Sequence, residues 1–250
     1  MNLTTLAPHF DFNFNRYKDD EYELLKIINP HTEEFYGRVA EIANAHHLIS
    51  DTQQSEICDL GCGNGILSDI LLSLSNDVSI TAFDIDSAVV ELARKNLARW
   101  SPLRKYNVVC AEALDYFQAL PKNSLDVVAS VWVMNNMRNT YRQQVLAAAF
   151  NALKPGGLFV NGDKYALKGE IHYKMLLDEL NRYFEVSLSH KKYDFLKWWV
   201  LHLVGDQSPV KIMYEMDSIQ NMQSIGFVNV EIVYRKNMDA ILVAYKSEKN

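Results

Sequence analysis

The chain has 250 residues, 48% of them hydrophobic, enough for one substantial core or a core with a small cap. A formal net charge of −6 excludes the basic character of a broad nucleic-acid or anionic-membrane binder, though not a local basic patch. Cys58, Cys62 and Cys110 form no C-x-x-C pair and no zinc set, so small thiols in buried strands (58 and 110) or a loop (62) are expected, with no metal. The first residues do not read as a basic-then-apolar leader, and no apolar run reaches membrane-spanning length, so a reducing cytoplasm is expected.

Residues 1–50 read as helical. Tyr22, Leu24, Leu25 and Ile28 form one apolar stripe, and Phe35, Val39, Ile42 and Ala43 form another after Pro30. Ahead of them, the segment from Phe10 to Tyr17 is too aromatic for a plain surface arm. The stretch from Ile57 to Gly65 (ICDLGCGNG) then reads as a short buried strand ending in an acid, Asp59, and a loop with glycine at 61, 63 and 65. Apolar residues return at helical spacing from Ile66 to Leu74, so the unit is strand, glycine loop, helix. The free N–H groups of that helix point back at the loop and favour an electronegative group.

The spacing discriminates between ligands. Position 66 is Ile, so G-x-G-x-x-G fails, and no Lys follows for a phosphate-cradling loop. An acid two residues before G-x-G-x-G would repel a pyrophosphate but suits an amino-acid ammonium. This unit resembles motif I of the class I S-adenosylmethionine-dependent methyltransferases. The resemblance implies a Rossmann-like sheet of seven strands with helices on both faces. It also implies S-adenosylmethionine as cofactor and an N-terminal lid in which Tyr17 and Arg16 are candidates.

Val78 to Phe83 reads as a second strand ending at Asp84-Ile-Asp86, with Ser87 as the cap of the next helix and Val89, Val90, Leu92, Ala93 and Leu97 as its buried face. Asp84 lies where the family's acid takes both ribose hydroxyls, since a carboxylate offers two acceptor oxygens to a vicinal diol. Asp86 competes with it, or serves its own helix N-terminus. Asn107 to Ala111 is a third strand, and the Glu112 that follows stands where the family often has Asp facing the adenine amino group. Ser124 to Val133 is the central fourth strand, opened by Asp126. Asn135 and Asn136 occupy the position of the family's frequent His pair and supply no base. The cofactor set so implied is Tyr17, Asp59, Gly61, Cys62, Gly63, Asp84, Ile85, Glu112, Ala113 and Val131; no catalytic residue is assigned.

Arg138 to Leu153 is helical until Lys154-Pro-Gly-Gly157, and Leu158 to Val160 is a fifth strand running into a polar tip, Asn161 to Tyr165. Residues 169–214 exceed what such a core needs. Ile171, Met175, Leu176, Leu180 and Phe184 share a helical face, and an aromatic run from Tyr193 to His202 follows. The resemblance makes this insertion a substrate cap lined by His172, Tyr193, Trp198, Trp199 and His202. A self-packed hairpin or a homodimer contact carries equal weight. Asp163, His172, His190 and His202 are the polar candidates near the transferred methyl. A helix over Met216–Ile225, Gly226-Phe227, and strands over Val228–Tyr234 and Ala240–Tyr245 close the sheet.

The expected organisation is one domain over 1–250: a lid over 1–50, a core over 51–168 and 215–250, and a cap over 169–214. The expected activity is methyl transfer to an O or N atom of a small, aromatic or amphipathic metabolite. The C-terminal pair of strands is also similar to carboxy-S-adenosylmethionine synthase. An RNA-modifying enzyme would use Arg94, Lys95, Arg99, Arg104 and Lys105 as a patch. A non-catalytic module that kept the cofactor pocket is the remaining class.

Overall fold

The structure is a computed structural model that describes residues 24, 26–49 and 54–248. Tyr17 and Arg16, the lid candidates, lie outside the described residues, as do Tyr22 and Leu25 of the first stripe.

Seven strands form one sheet in the order β3-β2-β1-β4-β5-β7-β6. They are β1 (Ser55–Leu60), β2 (Val78–Asp84), β3 (Lys105–Cys110), β4 (Leu125–Val131), β5 (Leu153–Lys164), β6 (Phe227–Lys236) and β7 (Asp239–Lys246). The first five run parallel, and β7 enters antiparallel between β5 and β6. Helices α1 (Thr32–Ile49), α2 (Ile66–Leu74), α3 (Ser87–Leu97), α4 (Ala113–Ala119), α5 (Asn139–Ala152), α6 (Glu170–Ser189), α7 (Tyr193–Asp206) and α8 (Glu215–Ile225) complete the architecture.

The period of two along each strand divides the core. Ile57, Ile80, Val127, Leu158 and Ile241 face α1, α2 and α3. Their neighbours Cys58, Val128, Phe159 and Leu242 face α4, α5 and α8. Helix α1 buries Phe35, Val39, Ala40 and Ala43 against the first layer, and Phe35 and Val39 each contribute about 1.5–3 kcal/mol.

Four details depart from expectation. The cap of α3 is Asp86, whose carboxylate accepts from the Ala88 N–H, because Ser87 already lies inside the helix. Cys110 is exposed, since β3 is an edge strand with one uncovered face. Strand β5 starts at Leu153, which pairs with Leu125; Lys154–Gly157 then bulge before Leu158 pairs with Val127. Helix α6 buries Glu179, Tyr183 and Ser187, while Ile171 and Phe184 are exposed. The rotation brings Glu179 to an ion pair with Lys164 at the end of β5, and a buried acid needs such a partner.

The 169–214 insertion contains a helical hairpin, α6 against α7, with a core of its own. Tyr183 stacks on Trp199 at 5.6 Å, and Leu24, Ile28, Phe195, Leu196, Leu203 and Met238 pack with them. No helix among the described residues is long and apolar enough to cross a membrane.

Candidate active site

The loop between β1 and α2 is a run of left-handed backbone. Gly61, Gly63 and Gly65 have φ of 67°, 52° and 90°, a region that favours glycine. At Gly61 an added Cβ would lie 2.4 Å from Cγ2 of Val133, so β4's tip leaves no room for a side chain. At Gly63 a Cβ would meet nothing within 4 Å, so the main chain there borders open space. Cys62 is buried, and its N–H donates to the Phe83 carbonyl at 2.9 Å, tying the loop to β2.

Asp59 is buried at the end of β1 and faces α2. Its Oδ2 accepts from both the backbone N–H (3.1 Å) and the hydroxyl (2.6 Å) of Ser68. Burial raises its carboxyl to about 7, against the opposing pull of those two bonds. Asp59 therefore anchors the helix to the strand beneath the loop.

Asp84, at the end of β2, crosses to that loop. Its Oδ2 accepts from the Gly63 N–H and its Oδ1 from the Asp86 N–H, both at 3.0 Å. Each oxygen keeps a second lone pair for a hydroxyl. Desolvation by burial pushes its carboxyl up, and a pair of ligand hydroxyls would offset that penalty. Ile85 is half-buried, and its carbonyl is met by the Cys110 thiol at 3.6 Å. Glu112 caps α4, where Oε2 accepts from the Asp115 N–H at 3.0 Å; Oε1 is buried with no partner among the described residues. Ala113 is buried in the first turn of α4 and Val131 at the end of β4.

Open space at Gly63, the free lone pairs of Asp84 and the unpaired Glu112 oxygen converge at the carboxyl ends of β1, β2 and β3, which is where open α/β sheets bind ligands. The hydroxyls and amino group of a nucleoside would complement that set. Residues 57–157 match the family model described as a methyltransferase domain. Residues 57–157 are thus similar to the catalytic domain of the S-adenosylmethionine-dependent methyltransferase family. S-adenosylmethionine is the cofactor of this family's domain.

The chain is 28% identical over 153 residues to a carboxy-S-adenosyl-L-methionine synthase of Shewanella loihica, covering 56% of this chain and 60% of that protein. It is 30% identical over 141 residues to a tRNA N(3)-cytidine methyltransferase of Bos taurus, covering 54% of this chain and 32% of that protein. The chain thus spans less than two thirds of the length of the first relative and about a third of the second. Among solved structures, a putative S-adenosyl-L-methionine-dependent methyltransferase from Methanococcus maripaludis superposes with a TM-score of 0.57 at 18% identity, covering 96% of this chain and 99% of that one. That likeness extends the shared fold beyond the matched domain.

A second polar cluster lies at the tips of β4 and β5, under the hairpin. Asn135 Nδ2 donates to Asp206 Oδ2 at 3.1 Å, and His202 Nε2 stands 3.3 Å from the same oxygen. His172 Nε2 pairs with Gln207 Oε1 at 2.7 Å. Asn135 Oδ1, Asp206 Oδ1 and His172 Nδ1 are buried without a hydrogen-bond partner among the described residues. They border a void of about 10 Å³ beside Lys164 and Lys211, the room of one water. Burial raises Asp206 to about 7 and lowers His202 to about 3, so this His stays neutral.

Sequence reasoning placed His172 and His202 near this end but missed Asp206, whose only signal is an acid four residues after His202 on one helix face. The other polar candidates serve structure. Asp163 is fully buried and accepts from the N–H groups of Met134, Asn135 and Lys164, at 2.8, 3.2 and 2.8 Å, holding the turn after β4; burial raises it to about 6. His190 is exposed at the far end of α6 and bonds its own turn. Tyr193 is exposed, and Trp199 packs inside the hairpin. Three of the five residues of the expected basic patch pair with acids: Arg94 bonds Glu91 and the Val108 carbonyl, Arg99 bonds Asp69, and Lys105 pairs with Glu56.

Proposed function

We propose that the chain transfers a methyl group from S-adenosylmethionine to an O or N atom of a small metabolite, with the acceptor reaching the β4–β5 tips beneath the hairpin. The observation that carries this reading is the enclosed cluster of Asn135, His172 and Asp206, whose three unpaired buried atoms belong to residues lining one void beyond the ends of β4 and β5. Gly61, Cys62, Gly63, Asp84, Ile85, Glu112, Ala113 and Val131 hold the cofactor in this reading, and Asp59 supports the loop from beneath. Asp84 takes the ribose hydroxyls and Glu112 Oε1 takes the adenine amino group.

The cofactor supplies an electrophilic methyl on a sulfonium, so the protein mainly positions the acceptor and excludes water. Asp206, titrating near 7, is placed to hold the proton lost by an O or N nucleophile, while Asn135 orients that carboxylate. The void admits only one water-sized group, so the hairpin must open for the acceptor to enter. The pairing of Arg94, Arg99 and Lys105 with acids favours a small acceptor over RNA.

A second reading is supported by the Shewanella relative and by Lys164 and Lys211 beside the void: a product that is itself a carboxylated cofactor, its carboxylate near those ammonium groups. Incubation with methyl-labelled S-adenosylmethionine and extracted metabolites, followed by size fractionation and mass spectrometry, tests both. Label in small molecules supports the first reading, and a carboxylated cofactor selects the second. Label confined to RNA or protein overturns both.

A further inference from the structure

A cavity of about 370 Å³ lies between β5, α5 and α8, roofed by the linker that joins α7 to α8. Its volume falls within the range of small-ligand pockets, roughly 300–1,000 Å³. Phe159 and Asn161 of β5 and Tyr165 just past its end line one side, with Leu146 of α5 and Met222 of α8 as its walls. None of the groups at the tips of β1, β2 and β3 lines it. Helix α5 stands between the two sites, its Tyr141 hydroxyl accepting from the Leu114 N–H of α4 at 3.3 Å on the side away from the cavity. The cavity is therefore separate from the cofactor groups.

The chemistry of the lining narrows the occupant. Asn161 is 1% exposed; its Nδ2 donates to the Tyr165 hydroxyl at 2.8 Å, and its Oδ1 has no partner among the described residues. A buried amide oxygen left unpaired costs free energy that a donor on a ligand would recover. Arg142 borders the cavity but does not call for an anion. Its guanidinium donates to the carbonyls of Met134 (2.8 Å), Met137 (2.6 Å) and Lys211 (2.5 Å) and to Asn139 Oδ1 (3.0 Å). Asn139, Gln143, Gln207, Asp217, Ser218 and Asn221 lie at its less buried parts. The rest of the buried lining is Met134, Leu146, Phe159, Tyr165, Met213 and Met222, whose methionines provide the soft contacts that suit an aromatic face.

We propose that this cavity is a second binding site, apart from the cofactor groups and adjoining the transfer cluster through Gln207, Ile212 and Met213, for a neutral aromatic molecule carrying one N–H or O–H donor. The donor meets Asn161 Oδ1, and the ring packs on Phe159, Leu146 and Met222. The probe is 5-fluoroindole, followed by ¹⁹F NMR in the presence of saturating S-adenosylhomocysteine. Saturable one-site binding is expected. It weakens at least ten-fold in Asn161→Leu, which removes the acceptor at similar size, and in Ser218→Phe, which fills the cavity from α8. The affinity of both variants for S-adenosylhomocysteine, measured separately, stays within two-fold of the parent and reports an intact fold. Should Asn161→Leu fail to fold, Ser218→Phe, a change on a half-buried helix position, decides. Absence of saturable binding to the parent, equal affinity in a folded variant, or displacement of the probe by S-adenosylhomocysteine overturns the proposal.

Discussion

The tips of β1 and β2 and the tips of β4 and β5 end at one edge of the sheet, yet they hold their polar groups by different means. At the first, main chain does most of the work: left-handed glycines, the Cys62 N–H on Phe83, and an Asp84 clasped by two backbone donors. At the second, side chains from remote segments converge, with Asn135 and Asp206 separated by 71 residues and meeting through one hydrogen bond. A backbone-built site is set by local residue types. A convergent one depends on how an inserted hairpin docks, and it can change while the first stays as it is.

The sharpest break of that contrast comes from the glycines. Gly61→Val combines a left-handed φ with a 2.4 Å approach to Val133, so loss of about 3 kcal/mol of stability, with cofactor binding abolished, is expected. Gly63→Val has open space around it and should remain folded, with only the strain of its φ, while its side chain occupies the space a cofactor would use. Thermal melts and calorimetry with S-adenosylhomocysteine separate the two. A Gly63→Val protein that binds normally would remove the loop from the site.

Asp206→Asn tests the convergent region. Turnover should fall by about 10²-fold, the scale of losing a positioned base, with cofactor affinity unchanged within about two-fold. The parent's rate should rise with pH through about 7 as Asp206 ionises, and the variant should lack that limb. Stability adds an independent sign. Burial raises the folded-state value to about 7, above the ordinary carboxylate value of roughly 3.9, so the folded form holds its proton more tightly. The stabilisation is complete below pH 4 or so and is lost as pH rises toward about 7. The Tm of Asp206→Asn relative to the parent should therefore climb across that window. A flat difference would mean Asp206 is not shifted.

Asp84→Ala removes two acceptor oxygens from the cofactor edge, and affinity for S-adenosylhomocysteine should drop by about ten-fold or more, roughly 1.5–3 kcal/mol. The Gly63 and Asp86 N–H groups lose their partner at the same time, so part of that loss is a looser loop. Unchanged affinity in calorimetry would exclude Asp84 from the pocket.

Much of the backbone-built half was legible because the signals are local. The acid–glycine spacing located the loop, and Asp84 stood out because it ends the second apolar run. The alternation of Ile57 with Cys58 and of Leu158 with Phe159 sorts side chains onto two faces without any long-range knowledge. The hairpin was harder to read. Apolar periodicity pointed to Phe184 as buried, but the tertiary demand of Lys164 for Glu179 turned the helix toward Tyr183. Asp206 was passed over altogether, because only the fold brings Asn135 to it. The extent of β5 was misread for the opposite reason: proline and glycines mark a break locally, yet Leu153 still pairs with Leu125 across it.

The smallest expected effect sits two residues from Asp84. Asp86 competed with it as the ribose acid, and the two differ in what their carboxylates touch. Asp86 Oδ1 accepts from the Ala88 N–H at 2.8 Å, the bond of a helix cap, whereas Asp84 reaches across to the glycine loop. Asp86→Ala should therefore cost about 1 kcal/mol of stability through the lost cap and leave cofactor affinity within two-fold. Asp86→Asn, which keeps an acceptor oxygen, should restore most of the stability. If Asp86→Ala instead weakens S-adenosylhomocysteine as much as Asp84→Ala does, the ribose contact is shared along the Asp84–Asp86 turn. The backbone-built site would then extend into the first turn of α3.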